Sequence, residues 1–404
     1  MKIKVPGSKS ITNRALLLAA LSDGESVITG CMAGGDGGQF LSSLRELGFT
    51  ASEEKEEGAS AVKNNTVRIM GLGGGIPKKS ASVNVGSAGT AARFLAALTA
   101  FSDGEYMLDA SEQMKKRPMK DLTDVLKEAG AEIEFTEREG YFPMKIKGAG
   151  DVPAVMRVNI DSSSQFLSAL MIAAGARKKE CRIEVEGTHG LAYVEMTAKM
   201  MESFGAEVTN AGNAYIIKSS GYKARSYAVE PDMSAAAYFY AASLLNGERY
   251  EISGAAEESL QGDEGFRSVL ENMRGENGSI HGGMTVDMSA MSDQALTLAV
   301  VSAYADAPVT IKGIAHIRLQ ECDRVAAIRN NLERMGITTA ETEDSVTVYP
   351  GKPHGAEIES YDDHRVAMSF ALAGLRTEGI VIKNKDCVKK TFPEFFEVLK
   401  SING

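Results

Sequence analysis

The sequence predicts an α/β protein of two domains, each built from three copies of one repeating unit. Three observations predict it. A small, nearly uncharged apolar helix recurs six times, an amphipathic helix follows each copy, and short β-branched runs separate the helices. The apolar helices start at residues 10, 89, 163, 232, 293 and 362, so the spacings are 79, 74, 69, 61 and 69 residues. That is too long for a helical solenoid repeat and long enough for one unit of strand, buried helix, strand, amphipathic helix and two further strands. At 404 residues the chain exceeds one ordinary core, and three units per domain divide it close to Glu230-Pro231.

The first copy sets the pattern. Pro6-Gly7 breaks a short strand, Ser8 and Lys9 follow at the turn, and the expected helix over Ser10–Leu21 carries no charge after Arg14. A helix apolar on most sides is a buried one. The other five copies are expected over Gly89–Ala100, Ser163–Ala174, Asp232–Leu245, Asp293–Ala305 and Asp362–Leu375. Amphipathic helices, with apolar residues three and four apart, are expected near Phe40–Leu47, Met119–Ala129, Tyr193–Phe204, Phe266–Met273, Val325–Met335 and Phe395–Ile402. Gly48, Gly130, Gly205 and Gly336 stop four of them. Strands are expected at Thr66–Met70, Glu132–Thr136, Met144–Lys147, Arg182–Val185, Tyr215–Lys218, Val346–Tyr349 and Ile380–Lys383, and Ser52–Asn65 reads as an exposed turn.

Composition narrows the function. A net charge of −10 argues against a non-specific nucleic-acid binder, which needs a basic face. Four cysteines (Cys31, Cys181, Cys322, Cys387) lie far apart with no CxxC spacing, so neither a zinc site nor a disulfide framework is expected, and a reducing cytoplasm fits. No stretch approaches 18 uninterrupted apolar residues, and Pro6, Gly7, Asn13 and Arg14 interrupt the approach to Ala15–Leu21, so neither a membrane span nor a signal peptide is expected. Gly71-Leu72-Gly73-Gly74-Gly75 lacks the dinucleotide fingerprint, and Gly7-Ser8-Lys9-Ser10 lacks the first half of a P-loop.

Reactive side chains gather at the starts of the apolar helices. The first offers Lys9, Ser10 and Arg14, the second Gly86-Ser87-Ala88-Gly89-Thr90 with Arg93, and the third Ser162-Ser163-Ser164-Gln165. The fourth and fifth offer Asp232 and Asp293, and the sixth Asp362-Asp363-His364-Arg365. Helix N-termini present free N–H groups and the positive end of the dipole, so six of them facing one cleft suit phosphorylated or carboxylated ligands. Capping explains the Ser, Thr and Asp residues. It does not explain Arg14, Arg93 and Arg365 on otherwise apolar helices. Lys115-Lys116-Arg117, Arg318-Leu319-Gln320-Glu321-Cys322-Asp323-Arg324 and Lys389-Lys390-Thr391 add further charge, and no metal-ligand spacing is present.

The stretches PGSKSITNRALLLAAL, GSAGTAAR, KKRPM, DSSSQFLSAL, RLQECDR, DDHRVAMSFAL and KKTFPEFF run in order from end to end of the chain. Together they resemble the 5-enolpyruvylshikimate-3-phosphate synthase (3-phosphoshikimate 1-carboxyvinyltransferase) family. The resemblance implies a fold of two domains, each of three βαβαββ repeats arranged as an inside-out α/β barrel, that close on substrate. It implies residues 10–231 as one domain and residues 1–9 with 232–404 as the other. The implied reaction joins phosphoenolpyruvate to the 5-hydroxyl of shikimate-3-phosphate and releases phosphate through a tetrahedral intermediate, without metal or cofactor.

By the same resemblance, Lys9, Ser10, Arg14, Ser163, Ser164, Gln165, Tyr193, Asp293 and position 320 hold shikimate-3-phosphate. Lys9, Gly89, Arg117, Gln165, Arg324, Arg365 and Lys390 surround phosphoenolpyruvate. Asp293 is the implied general base for the hydroxyl, and Glu321 and Lys9 deliver and remove the methylene proton. The implied partners are these two small molecules alone, with no nucleic acid and no membrane, for a cytoplasmic monomer. Three positions depart from the family pattern: Gln320 replaces a lysine, Ser87 an asparagine and Gly190 a serine. Three other readings share parts of the pattern. A UDP-N-acetylglucosamine enolpyruvyl transferase needs a reactive cysteine between Ser111 and Pro118, where the chain reads Ser-Glu-Gln-Met-Lys-Lys-Arg-Pro. A non-catalytic phosphate-ligand binder would follow if Gln320 marked lost activity. An RNA-terminal phosphate cyclase, with a related repeat, is disfavoured by the acidic charge.

Overall fold

Helices without charged faces need cover on every side, and the alternation of two helix types dictates where that cover comes from. The computed structural model describes every residue except 59, 189, 256–258, 263–264 and 403–404. Its helices are α1 (Lys9–Leu21), α2 (Gly35–Glu46), α3 (Gly89–Ala100), α4 (Glu112–Lys115), α5 (Lys120–Glu128), α6 (Gln165–Gly175), α7 (Leu191–Ser203), α8 (Met233–Asn246), α9 (Gly265–Asn272), α10 (Ala295–Ser302), α11 (Arg324–Arg334), α12 (His364–Ala371) and α13 (Phe395–Ser401). Helices α1, α3, α6, α8, α10 and α12 are the apolar ones. Every residue of α3, α10 and α12 is buried. The amphipathic helices bury one stripe: α9, for example, buries Phe266 and Leu270.

The chain forms two contact units, Gly7–Gly58 with Lys63–Val229, and Met1–Pro6 with Ala59–Val62 and Glu230–Gly404. In the first, the strand after each buried helix pairs in parallel with one neighbour and antiparallel with another, and a fourth strand closes the sheet. Ser80–Asn84, Glu105–Asp109, Met144–Lys147 and Glu132–Phe135 lie side by side in that order, and Val155–Asn159, Cys181–Glu186, Ala214–Lys218 and Glu207–Asn210 repeat the arrangement. The sheet after α1 takes its parallel partner from Tyr222–Lys223 and Ser226–Ala228 at the far end of the unit. The strand directly before α1 in sequence, Lys2–Ile3, pairs instead with Glu251–Ile252 in the second unit. There Met284–Asp287, Val309–Lys312, Ser345–Tyr349 and Thr338–Glu341 make a full sheet of the same order, while Lys2–Ile3 with Glu251–Ile252 and Glu357–Ile358 with Val381–Ile382 keep only the parallel pair.

The repeat extends to backbone contacts. A Cβ on Gly71 would lie 2.2 Å from Ser22 O and 2.4 Å from Ala19 O, and one on Gly148 would lie 2.1 Å from Ser102 O and 2.6 Å from Thr99 O. Both glycines let a returning strand press on the C-terminal carbonyls of a buried helix. Ser22, Thr99 and Ser302, near the ends of α1, α3 and α10, each return a hydroxyl to the carbonyl four residues earlier, at Leu18, Leu95 and Leu298.

Several local expectations shift. Ser52–Asn65 is not one turn: Thr50–Lys55 and Asn64–Leu72 are paired strands, and Val62 is buried in the core of the second unit. The β-branched pattern hid this because the Glu-rich strand has an exposed face. Ser163 lies in the turn before α6, where its Oγ accepts from Gln165 N at 3.3 Å. Asp293 sits in a 3-10 turn, Ser292–Gln294, that precedes α10. At the sixth helix the cap is Asp363, accepting from Arg365 N at 2.8 Å, because Tyr361 and Asp362 both take left-handed φ values of 54° and 56°.

Two glycine substitutions separate packing from helix propensity. Gly148→Ala drives a methyl into two backbone carbonyls and is expected to lower stability by about 1–3 kcal/mol. Gly38→Ala, inside α2 with nothing within 4 Å of the new Cβ, is expected to raise it by about 0.5–1 kcal/mol. Urea unfolding midpoints check both signs.

Candidate active site

Helix starts position the chemistry in the first unit. Ser8 caps α1, accepting from Ile11 N, and places Lys9 and Ser10 in the first turn. Lys9 Nζ lies 3.6 Å from Asp36 Oδ2, a carboxylate buried in the first turn of α2. Arg14, one turn further, is 1% exposed. Its Nε donates to Thr197 Oγ1 at 2.7 Å, its Nη1 to Ser10 O at 3.0 Å, and its Nη2 to Tyr193 O at 3.2 Å and Ser168 Oγ at 3.4 Å. The guanidinium also lies over the Phe94 ring at 5.3 Å. These oxygens are neutral, and burial lowers the Arg14 guanidinium to about 10. A buried cation held by neutral oxygens is costly and favours an anion nearby. Arg14 therefore ties α1 to α6 and α7 while making the first turn of α1 electropositive.

The start of α3 is a second point of convergence. A Cβ on Gly89 would meet Arg117 Nη1 at 2.8 Å, Arg93 Nη1 at 3.0 Å and Gln165 Oε1 at 3.2 Å. Arg93, 2% exposed, donates to Gly89 O at 3.3 Å and stands over the Phe166 ring at 5.8 Å. Gln165 Oε1 is buried without a hydrogen-bond partner among the described residues. The Lys115-Lys116-Arg117 stretch is steadied by Lys115, which pairs with Glu137 (3.1 Å), Glu112 (3.3 Å) and Asp109 (3.6 Å). Asn13 of α1 donates to Thr90 Oγ1 of α3 at 2.5 Å, linking the two helix starts. Ser164 is buried against Gly190, whose φ of 64° disfavours a side chain and whose Cβ position 2.5 Å from Ser164 Oγ means that a serine there would have to displace the Ser164 hydroxyl. Tyr193 enters through its backbone, accepting from Arg14 and Thr197.

The second unit gathers its charges around Arg324, the first residue of α11 and 1% exposed. Nε donates to Asp363 Oδ2 at 2.8 Å and Nη2 to Asp363 Oδ1 at 3.3 Å, a bidentate pair. Nη1 donates to Asp293 Oδ1 at 2.9 Å and to Gln320 Oε1, and Nη2 also meets Glu321 Oε2 at 3.0 Å. Burial pulls the guanidinium down, but Asp363, Glu321 and Asp293 together raise it well above its ordinary value. Each carboxylate then reaches a second group. Asp293 Oδ2 lies 2.8 Å from Arg365 Nη2, Glu321 Oε1 lies 3.0 Å from Lys390 Nζ, and Asp363 caps α12.

The structure thus brings together Asp293, Gln320, Glu321, Arg324, Arg365 and Lys390 in one unit. In the other it groups Lys9, Ser10, Arg14 and Tyr193 with α6, and Gly89, Arg117 and Gln165 with one another. Gln320 acts here as an acceptor for Arg324, a role that the lysine of the family pattern could not fill. Asp36 and Asn13 are structural partners that the residue pattern did not select; Asp363 stood in the Asp362-Asp363-His364-Arg365 cluster, but the pattern did not show its pairing with Arg324.

The family model described as EPSP synthase (3-phosphoshikimate 1-carboxyvinyltransferase) matches residues 1–399. A 3-phosphoshikimate 1-carboxyvinyltransferase of Trichormus variabilis is 40% identical, the match covering 98% of this chain and 94% of the relative. A chloroplastic 3-phosphoshikimate 1-carboxyvinyltransferase of Brassica napus is 37% identical over 99% of this chain and 82% of the relative. A solved EPSP synthase from Acinetobacter baumannii superimposes with a TM-score of 0.79 at 25% identity, covering 99% of this chain and 95% of that one. Matched by the family model over residues 1–399 and 40% identical to a relative covered over 94% of its length, the chain belongs to the EPSP synthase (3-phosphoshikimate 1-carboxyvinyltransferase) family.

Proposed function

We propose that the Arg324 cluster and the helix starts of the first unit carry out the family's transfer: the carboxyvinyl group of phosphoenolpyruvate passes to the 5-hydroxyl of shikimate-3-phosphate, and phosphate leaves. One observation carries the reading. Asp293 and Glu321 are both bound to Arg324, and each also holds a second cation, Arg365 or Lys390.

Phosphate and carboxylate groups of the substrates compete for those second cations, as bidentate arginine and point-charge lysine both suit them. A carboxylate that gives up one of its two cations becomes a better proton acceptor while Arg324 keeps its aim. Asp293 then takes the proton of the 5-hydroxyl as its oxygen attacks C2 of phosphoenolpyruvate. Glu321 or Lys9 delivers a proton to the methylene carbon, giving the tetrahedral intermediate. Loss of a proton from the resulting methyl group and departure of phosphate restore the double bond. Ser10, Ser163, Ser164, Gln165 and Tyr193, with Arg14 behind them, serve shikimate-3-phosphate, and Gln320 stands at a position of the same set. Lys9, Gly89, Arg117, Gln165, Arg324, Arg365 and Lys390 serve phosphoenolpyruvate. The two contact units are its domains. The same reading has, by resemblance, a cytoplasmic monomer without nucleic-acid or membrane partners, and the net charge of −10 supports the lack of a nucleic-acid partner.

Phosphate release from purified protein tests the assignment, with each substrate omitted in turn. Release is expected only with both substrates present, and UDP-N-acetylglucosamine is not expected to replace shikimate-3-phosphate. Asp293→Asn and Glu321→Gln are each expected to lower kcat by about 10²–10⁴-fold, the usual span for a lost general acid or base. Binding of both ligands without release would instead support a non-catalytic protein.

Gly89→Ala tests the second convergence point separately. The new methyl meets Arg117 Nη1 at 2.8 Å, so the KM for phosphoenolpyruvate is expected to rise more than that for shikimate-3-phosphate. Equal changes in the two KM values would contradict the assignment of Gly89 and Arg117.

A further inference from the structure

The start of α8 packs against the Asp293–Arg365 pair. Ser234 Oγ lies 3.5 Å from Arg365 Nη2, and Ser234 O accepts from Gln294 Nε2 at 3.5 Å. Tyr238 stands four residues on, on the same face of the helix. It is 1% exposed, and its ring meets Phe395 edge-on at 5.6 Å and 74°. Its hydroxyl is buried with no hydrogen-bond partner among the described residues. An unpaired buried hydroxyl is destabilising, and such groups are rare in native structures. Four charged groups act on it: Arg365, Arg324, Asp293 and Asp363. Burial raises the phenol far above its ordinary value and the two arginines oppose this only in part, so it keeps its proton and is a donor.

We propose that Tyr238 is a positioning residue of the transfer: when Arg365 turns from Asp293 to an anionic substrate, the Tyr238 hydroxyl replaces the departing N–H on the Asp293 carboxylate. This rests on the reading of Asp293 and Arg365 given above. The exchange puts a neutral donor where a cation stood. Asp293 keeps two hydrogen bonds and its orientation, with Arg324 Nη1 on Oδ1, yet is held less firmly in its anionic form. The hydroxyl is therefore unsatisfied in the free protein and satisfied during turnover. The competing acceptor is Gln294 Oε1, which is also buried without a hydrogen-bond partner among the described residues.

Tyr238→Phe removes the hydroxyl and keeps the ring. Tyr304→Phe is the comparison, because the Tyr304 hydroxyl is already bonded, to Thr377 Oγ1 at 2.7 Å and Ala373 O at 3.2 Å. Steady-state phosphate release and thermal melting are measured on both and on the unaltered protein. Tyr238→Phe is expected to lower kcat about tenfold, the effect of one hydrogen bond to a charged group, with both KM values within about twofold and the melting temperature unchanged or higher. Tyr304→Phe is expected to melt lower with kcat kept. An unchanged kcat in Tyr238→Phe overturns the proposal. So does a lowered melting temperature with kcat intact, which would give the hydroxyl to Gln294, or loss of folding, which would make the role structural. Failure of the unaltered protein to release phosphate would sink the functional reading itself, whereas a normal unaltered protein beside an equally active Tyr238→Phe sinks only this inference.

Discussion

Burying Arg324 is the constraint on which the charged cluster of the second unit depends. An isolated guanidinium taken out of water is strongly unfavourable, and removing one partner of a buried ion pair typically destabilises by about 3–5 kcal/mol. Here the charge is answered by a bidentate pair with Asp363, itself fully buried, and by Asp293, Glu321 and Gln320 around the rest of the fork. The two carboxylates of greatest chemical interest are thus fixed by the same group that neutralises them. Such a cluster buys geometry rather than stability, since apolar residues of similar volume would fold as well.

The apolar helices make that geometry possible. Their small side chains let helices pack closely, so that helix starts, those of α1 and α12 capped by Ser8 and Asp363, present Lys9, Gly89 and Arg365. Gly71 and Gly148 show the same economy at the opposite helix ends, where returning strands rest directly on carbonyls. In the first unit the partners of Arg14 are hydroxyls and backbone oxygens, whereas those of Arg324 are mainly carboxylates. One buried arginine therefore leaves local positive potential for an anion. The other is outnumbered by three carboxylates, whose charge Arg365 and Lys390 help to balance.

Much of this was legible in the residues because burial writes itself as missing charge. Helices α1, α3 and α8 fall within a residue of where the uncharged runs begin and end. The pairing of Lys2–Ile3 with Glu251–Ile252 was not legible from periodicity, because it joins segments some 250 residues apart. The resemblance to known sequences was needed to assign the first residues to the later half. Asp362 and Asp363 look equivalent in sequence, and only the left-handed turn at Tyr361 and Asp362 decides which one caps α12 and meets Arg324. Gln320 read as a lost contact. The structure makes it an acceptor for Arg324, a role defined by a neighbour four residues away and not by its own position.

A double-mutant cycle on Arg324→Lys and Asp363→Asn, read as kcat/KM for phosphoenolpyruvate, tests the central claim most directly. If Asp363 acts by holding Arg324, the two substitutions remove the same thing. The double variant should then be about as impaired as the worse single one, a strongly non-additive result. Effects that multiply, so that the double variant shows the product of the two single losses, would mean that Asp363 and Arg324 act independently. That result would contradict an active site organised around their pairing.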